Sequence, residues 1–94
     1  MNTQEREVMN ILSEECAEVI QAISKCHRFG IDGIKPGLDI SNREHLQVEI
    51  GDLLAMVDIL LDLKVIDASA LEQAKLAKIE KLKKWSNIFK ENSL

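Results

Sequence analysis

Residues 49–60 read EIGDLLAMVDIL, and the spacing of Glu49 and Asp52 in this apolar run decides how the chain is read. At about 100° per residue, positions i and i+3 project from one helix face about 60° apart. Leu46, Leu53, Met56, Val57 and Leu60 cluster around Glu49, so this acid stands inside the apolar stripe and not on its wet side. The same arrangement occurs earlier, in Glu15-Cys16-Ala17-Glu18 with Glu14 just ahead. There the stripe around Glu15 holds Val8, Ile11, Leu12, Val19, Ala22 and Cys26. A carboxylate facing a core is costly unless something compensates it. Four facing one another repel, raise each other's pKa, or bind cations.

Outward from these pairs the chain reads as three helices in one domain, residues 1–94. The first is expected from about Thr3 to Arg28, with Gly30 as its C-cap. Gly30, Gly33, Pro36 and Gly37 punctuate a loop over residues 30–41. Ser41-Asn42-Arg43-Glu44 reads as a capping box that opens the second helix, which runs to about Lys64. Its apolar arc is so wide that only Gln47, Gly51, Asp58 and Asp62 form a polar strip, which predicts a central helix packed from several sides. Ser69-Ala70-Leu71-Glu72 reads as a second capping box, and the third helix is expected to reach about Lys90.

Composition narrows the function classes. Apolar content of 46% with 30% charged residues excludes a disordered chain. The only aromatic residues are Phe29, Trp85 and Phe89, too few for a base-stacking platform, and a net charge of -4 also disfavours a nucleic-acid binder. Trp85 reads as a core residue or as one wall of a base pocket. No signal peptide and no membrane-spanning run is legible. Cys16 and Cys26 have no CxxC spacing and read as reduced core thiols of a cytoplasmic protein. Three helices with wide apolar faces in 94 residues need a partner to cover them.

Carboxylate oxygens are hard ligands suited to Mg²⁺ or Mn²⁺. Glu15, Glu18, Glu49 and Asp52 would converge if the first two helices pack antiparallel, which a loop of about a dozen residues allows. The geometry alone leaves two readings, a metal site or buried salt bridges. Glu14, at the stripe's edge, reads as solvated. Ferritin-like di-iron bundles need Glu-x-x-His on two helices, and neither pair supplies it. His45 lies one turn before Glu49; it either leans towards the cluster or stands partly exposed in the helix's first turn. His27 reads as a surface residue, and zinc-ligand spacing is lacking.

Taken together, Glu14-Glu15-x-x-Glu18 and Glu49-x-x-Asp52 resemble the signature of the MazG-like superfamily of all-α nucleoside triphosphate pyrophosphohydrolases. EECAEVIQAISKCHRFG resembles the first helix of short, often phage-encoded members, and EIGDLLAMVDIL their second. The resemblance implies an all-α antiparallel helical bundle completed by homo-oligomerisation, as a dimer or a dimer of dimers. It implies that the four acids bind Mg²⁺, with Mn²⁺ as a substitute. It also implies hydrolysis of a (deoxy)nucleoside triphosphate to the monophosphate and pyrophosphate, which controls the nucleotide pool in the cytoplasm, or the host cytoplasm if phage-encoded. Phosphoribosyl-ATP hydrolysis is the enzymatic alternative. A helical interaction module with structural salt bridges is the alternative of another class.

Within that reading, Glu15 is expected to activate water while acting as a ligand, because it is the most central acid of its helix. A phosphate-contacting lysine is expected in the third helix. Lys78 lies within about 20–40° of Leu71, Leu82 and Phe89 and is preferred to Lys81. Lys25 and Arg28, beside the loop, are further substrate-binding candidates, although each alone reads as a solvated charge.

Overall fold

Asn2 opens the first helix: the Glu5 backbone N–H donates to its Oδ1 at 2.8 Å, and its Nδ2 donates back to Glu5 Oε1 at 2.9 Å. The computed structural model describes residues 1–90, which form α1 (Thr3–Phe29), α2 (Asn42–Asp62) and α3 (Ala68–Trp85). The chain is all-α. Its one β feature among the described residues is an isolated antiparallel bridge between Ile34 and Ser41.

The caps follow local chemistry. Ser41 caps α2 as expected, its Oγ accepting the Glu44 N–H at 3.2 Å. For α3 the cap is Asp67 and not Ser69: the Asp67 carboxylate accepts the Ala70 N–H at 2.9 Å, so the helix begins at Ala68. A charged acceptor also matches the positive end of the helix dipole. α2 stops at Asp62, short of Lys64, because Lys64 turns left-handed (φ 60°). Val65 N–H and Lys64 N–H then close on the carbonyls of Leu60 and Leu61, each at 3.0 Å. α3 ends at Trp85, well before Lys90. Extended Ser86 donates its hydroxyl to the Leu82 carbonyl at 2.7 Å, an alternative to continuing the helix.

α1 and α2 form an antiparallel hairpin. Near the loop, Cys26 Sγ lies 3.7 Å from the Asn42 carbonyl. Farther along, Glu15 faces Glu49 and Asp52. The loop fixes this register through Asn42 N–H to Gly33 O (2.9 Å), Arg43 N–H to Ile31 O (2.8 Å) and Asn42 Nδ2 to Gly30 O (2.9 Å). Asp32 and Arg43 add an exposed ion pair at 3.1 Å. Gly33 permits this close turn, because a Cβ there would stand 2.5 Å from the Phe29 carbonyl oxygen.

α3 does not fold back onto the hairpin. The three helices form a flat array with extents of 41 × 40 × 14 Å. The radius of gyration is 16.5 Å, against about 12 Å for a compact chain of this length. Accessible surface is 7519 Å², against about 5,500 Å² for a compact 10.6 kDa monomer. Val8, Ala22 and Leu60 are the buried core.

Several expectations change as a result. α2 is not packed from several sides within one chain: Val48, Ile50, Leu54 and Ile59 are exposed. Trp85 is no core residue; it is 78% exposed, because α3 has no wall to pack against, and Lys84 sits over its ring. Phe89 lies beyond α3, and Cys16 is exposed, although Cys26 is partly covered in the seam. Cys16 belongs to a bare apolar back. By helix angle, Met9, Cys16, Ile20 and Ile23 of α1 share one side of the hairpin with Ile50, Leu54, Val57 and Leu61 of α2.

The turn gives a stability contrast. Gly33→Ala should destabilise the fold by about 1–3 kcal/mol, since the added methyl meets backbone and not a yielding side chain. Gly51→Ala, in the middle of α2 with open space around its Cα, should stabilise it by about 0.5–1 kcal/mol. Urea unfolding of the two variants measures both; Gly33→Ala as stable as wild type would contradict the turn geometry.

Candidate metal centre

Glu15 and Glu49 meet because each lies at the middle of its helix's seam-facing stripe. Asp52, one turn further along α2, reaches in from the exposed flank. One carboxylate oxygen from each of Glu15, Glu49 and Asp52 lies within 4.8 Å of the others. Glu15 and Glu49 are half-buried, and Asp52 stands at the rim. Glu18 is exposed and outside this triplet, though near enough for its charge to be felt at Glu15. Glu14 is exposed, as expected.

Electrostatics single out Glu15. Its pKa is raised above the usual 4.5, first by loss of water contact in the seam and then by the charges of Asp52, Glu49, Glu18 and Glu14. Every charged group that perturbs it is acidic. Glu49 is steadied differently. Its side chain is 13% exposed, and its Oε1 lies 3.1 Å from His45 Nε2. His45 thus leans towards the cluster while its side chain stays partly exposed in the first turn of α2. An imidazole bonded to a carboxylate in this way fixes the carboxylate's orientation.

The donor set fits a hard divalent cation: three carboxylate oxygens converge, with no thiol among them. A cation there would relieve the repulsion that raises the Glu15 pKa. Of the other sequence reading, buried salt bridges, the seam shows one pair, His45 with Glu49; among the described residues no Lys or Arg pairs with these acids.

The basic candidates separate into two groups. Lys25 and Arg28 stand at the loop end of the hairpin and line a cleft of about 380 Å³ with Lys35, a residue the sequence reading did not single out. Loop positions have no helical angle, so the only signal for Lys35 was its place beside Pro36 and Gly37. Lys78 and Lys81 are exposed on α3, which makes only marginal contact with the hairpin, so one chain does not bring them to the acids.

A family model describing the MazG nucleotide pyrophosphohydrolase domain matches residues 3–86. The chain belongs to the MazG family. The match spans α1, the loop, α2 and α3, and so includes both acid pairs. The MazG family generally uses a divalent metal, in keeping with the carboxylate triplet. Among curated proteins and among solved structures, nothing matches this chain significantly. Among the described residues, no helix is long and apolar enough to cross a membrane.

The raised Glu15 pKa has a measurable consequence. The folded state holds this proton more tightly than the unfolded chain does. Stability of the metal-free protein therefore falls as pH rises from the usual 4.5 through the folded pKa. Glu15→Gln removes that contribution. Its melting temperature in chelator should exceed that of wild type at neutral pH, with the gap closing in acid. Scanning fluorimetry across pH tests this, and a neutral-pH melting temperature at or below wild type would refute it.

Proposed function

We propose that this MazG chain hydrolyses a (deoxy)nucleoside triphosphate between the α- and β-phosphates, with magnesium as its cation and manganese as a substitute. The convergence of Glu15, Glu49 and Asp52 in the seam is the observation that carries this reading. Glu49 and Asp52 are the principal ligands, with Glu18 joining from the rim. Magnesium, when bound, screens phosphate charge and the charge that develops on the leaving pyrophosphate.

Glu15 orients the attacking water and accepts its proton. Its place at the centre of the seam, facing Glu49 and Asp52, supports that role, since a water held among these carboxylates lies within its reach. The water oxygen bonds to the α-phosphorus as the bridging P–O bond to the β-phosphate breaks. The products are a nucleoside monophosphate and pyrophosphate. His45, bonded to Glu49, keeps that carboxylate aimed at the seam.

We also propose a homo-oligomer. The surface in excess of a compact monomer's, about 2,000 Å², is more than one partner contributes to a standard interface, about 800 Å². The bare apolar back of the hairpin is where a second copy would pack. Lys25 and Arg28 are the substrate-binding cations the hairpin itself supplies. Lys78 and Lys81 would add positive charge once α3 of one subunit covers the hairpin of another.

A panel of nucleoside triphosphates with Mg²⁺, including phosphoribosyl-ATP, tests the activity; no pyrophosphate released from any member would refute it. Glu15→Gln should lower kcat by about 10²–10⁴-fold while Mn²⁺ still binds. Loss of Mn²⁺ binding in that variant would instead make Glu15 an indispensable ligand. Sedimentation at micromolar concentration should give a multiple of 10.6 kDa, and a monomer mass would contradict the assembly.

A further inference from the structure

We propose that Lys25 and Lys35 grip the terminal phosphates of the substrate in the cleft at the loop end of the hairpin; this rests on the pyrophosphohydrolase reading above. By helix angle, Glu18 and Lys25 share one flank of α1, two turns apart. Asp52 and His45 share the matching flank of α2. Acids and cleft therefore open on the same side of the hairpin, opposite its apolar back. His45 joins them: it bonds Glu49 at 3.1 Å and also lines a cleft of about 290 Å³ with Lys25, Lys35 and Ser41.

Charge selects an anion for this cleft. Acidic residues outnumber basic ones sixteen to twelve, yet among the described residues neither Lys25 nor Lys35 has a carboxylate at ion-pair distance. Arg28, whose guanidinium sits 4.9 Å over the Phe29 ring, adds a third positive group to the adjoining cleft. The α2 N-terminus does not supply the donors. Its Asn42, Arg43 and Glu44 amides already bond to Gly33 O, Ile31 O and Ser41 Oγ. Recognition therefore falls to the ammonium groups, with the helix dipole favouring negative charge nearby. A polyphosphate whose near end would be bridged to the acids by a bound divalent cation, and whose far end meets these lysines, finds positive charge at both ends.

The test uses inorganic tripolyphosphate and pyrophosphate as base-free probes at fixed Mg²⁺, by calorimetry, on the full chain. Wild type should prefer tripolyphosphate. Lys25→Gln and Lys35→Gln should each weaken tripolyphosphate by about ten-fold, with little effect on pyrophosphate and none on Mn²⁺ affinity read by electron paramagnetic resonance. Three results would each overturn the assignment: no tripolyphosphate preference in wild type, unchanged binding in both variants, or parallel loss of Mn²⁺. Binding is read without turnover. A wild type that prefers tripolyphosphate but hydrolyses nothing in the nucleotide panel would sink the activity and leave the cleft standing. The converse would sink the cleft alone.

Discussion

Carboxylate repulsion across the α1–α2 seam is the constraint on which the rest of this structure depends. Glu15 and Glu49 occupy seam positions that would otherwise hold apolar side chains, and Asp52 adds a third charge within 4.8 Å. With only Val8, Ala22 and Leu60 buried among the described residues, the apolar contribution to the hairpin is small. The loop carries much of the burden of register. Asn42 is tied to Gly30 and Gly33, and Arg43 to Ile31 and Asp32. From the Cys26–Asn42 contact, eleven residues back along α1 arrive at Glu15, and ten residues forward along α2 arrive at Asp52. A slip at the loop would separate the acids, so the turn chemistry and the site chemistry are one requirement.

That requirement divides the hairpin into two unlike faces. One carries Glu18, Asp52, His45 and Lys25, which remain useful only while a solute can reach them. The other carries Ile20, Ile50 and Leu54, which cost free energy while water can reach them. A third helix laid across the polar face would block it, and α3 does not lie there. The hairpin is thus open where charge stays accessible, and bare where apolar surface is exposed.

The helices and the acid cluster were legible in the sequence because both are matters of angle. Glu15 among Val8 and Ala22, or Glu49 among Leu53 and Leu60, can be placed on a wheel without knowing any neighbour. Three kinds of feature were not. Asp67 competes with Ser69 for one cap, and the geometry of the preceding turn decides between them. Lys35 lies off any helix, so periodicity gives it no direction. Trp85 and Lys78 have a correct helical angle with nothing opposite it, since a wheel shows which way a side chain points and not whether a wall stands there.

The wide apolar arc of α2 shows that last distinction most plainly. Read as one stripe, it predicts a helix surrounded on several sides. In the folded chain its parts have different uses. Leu46, Leu53, Met56 and Leu60 turn towards the α1 seam, and Leu60 is buried there. Ile50 and Leu54 turn away and are exposed. This exposed stripe adds nothing to the stability of a lone chain and raises its tendency to associate. In the proposed homo-oligomer, a sequence that keeps such a stripe beside a seam of repelling acids would draw its remaining apolar stabilisation from outside the monomer. Assembly through that stripe would hold the hairpin closed from behind, which leaves the acids free to face a ligand in front.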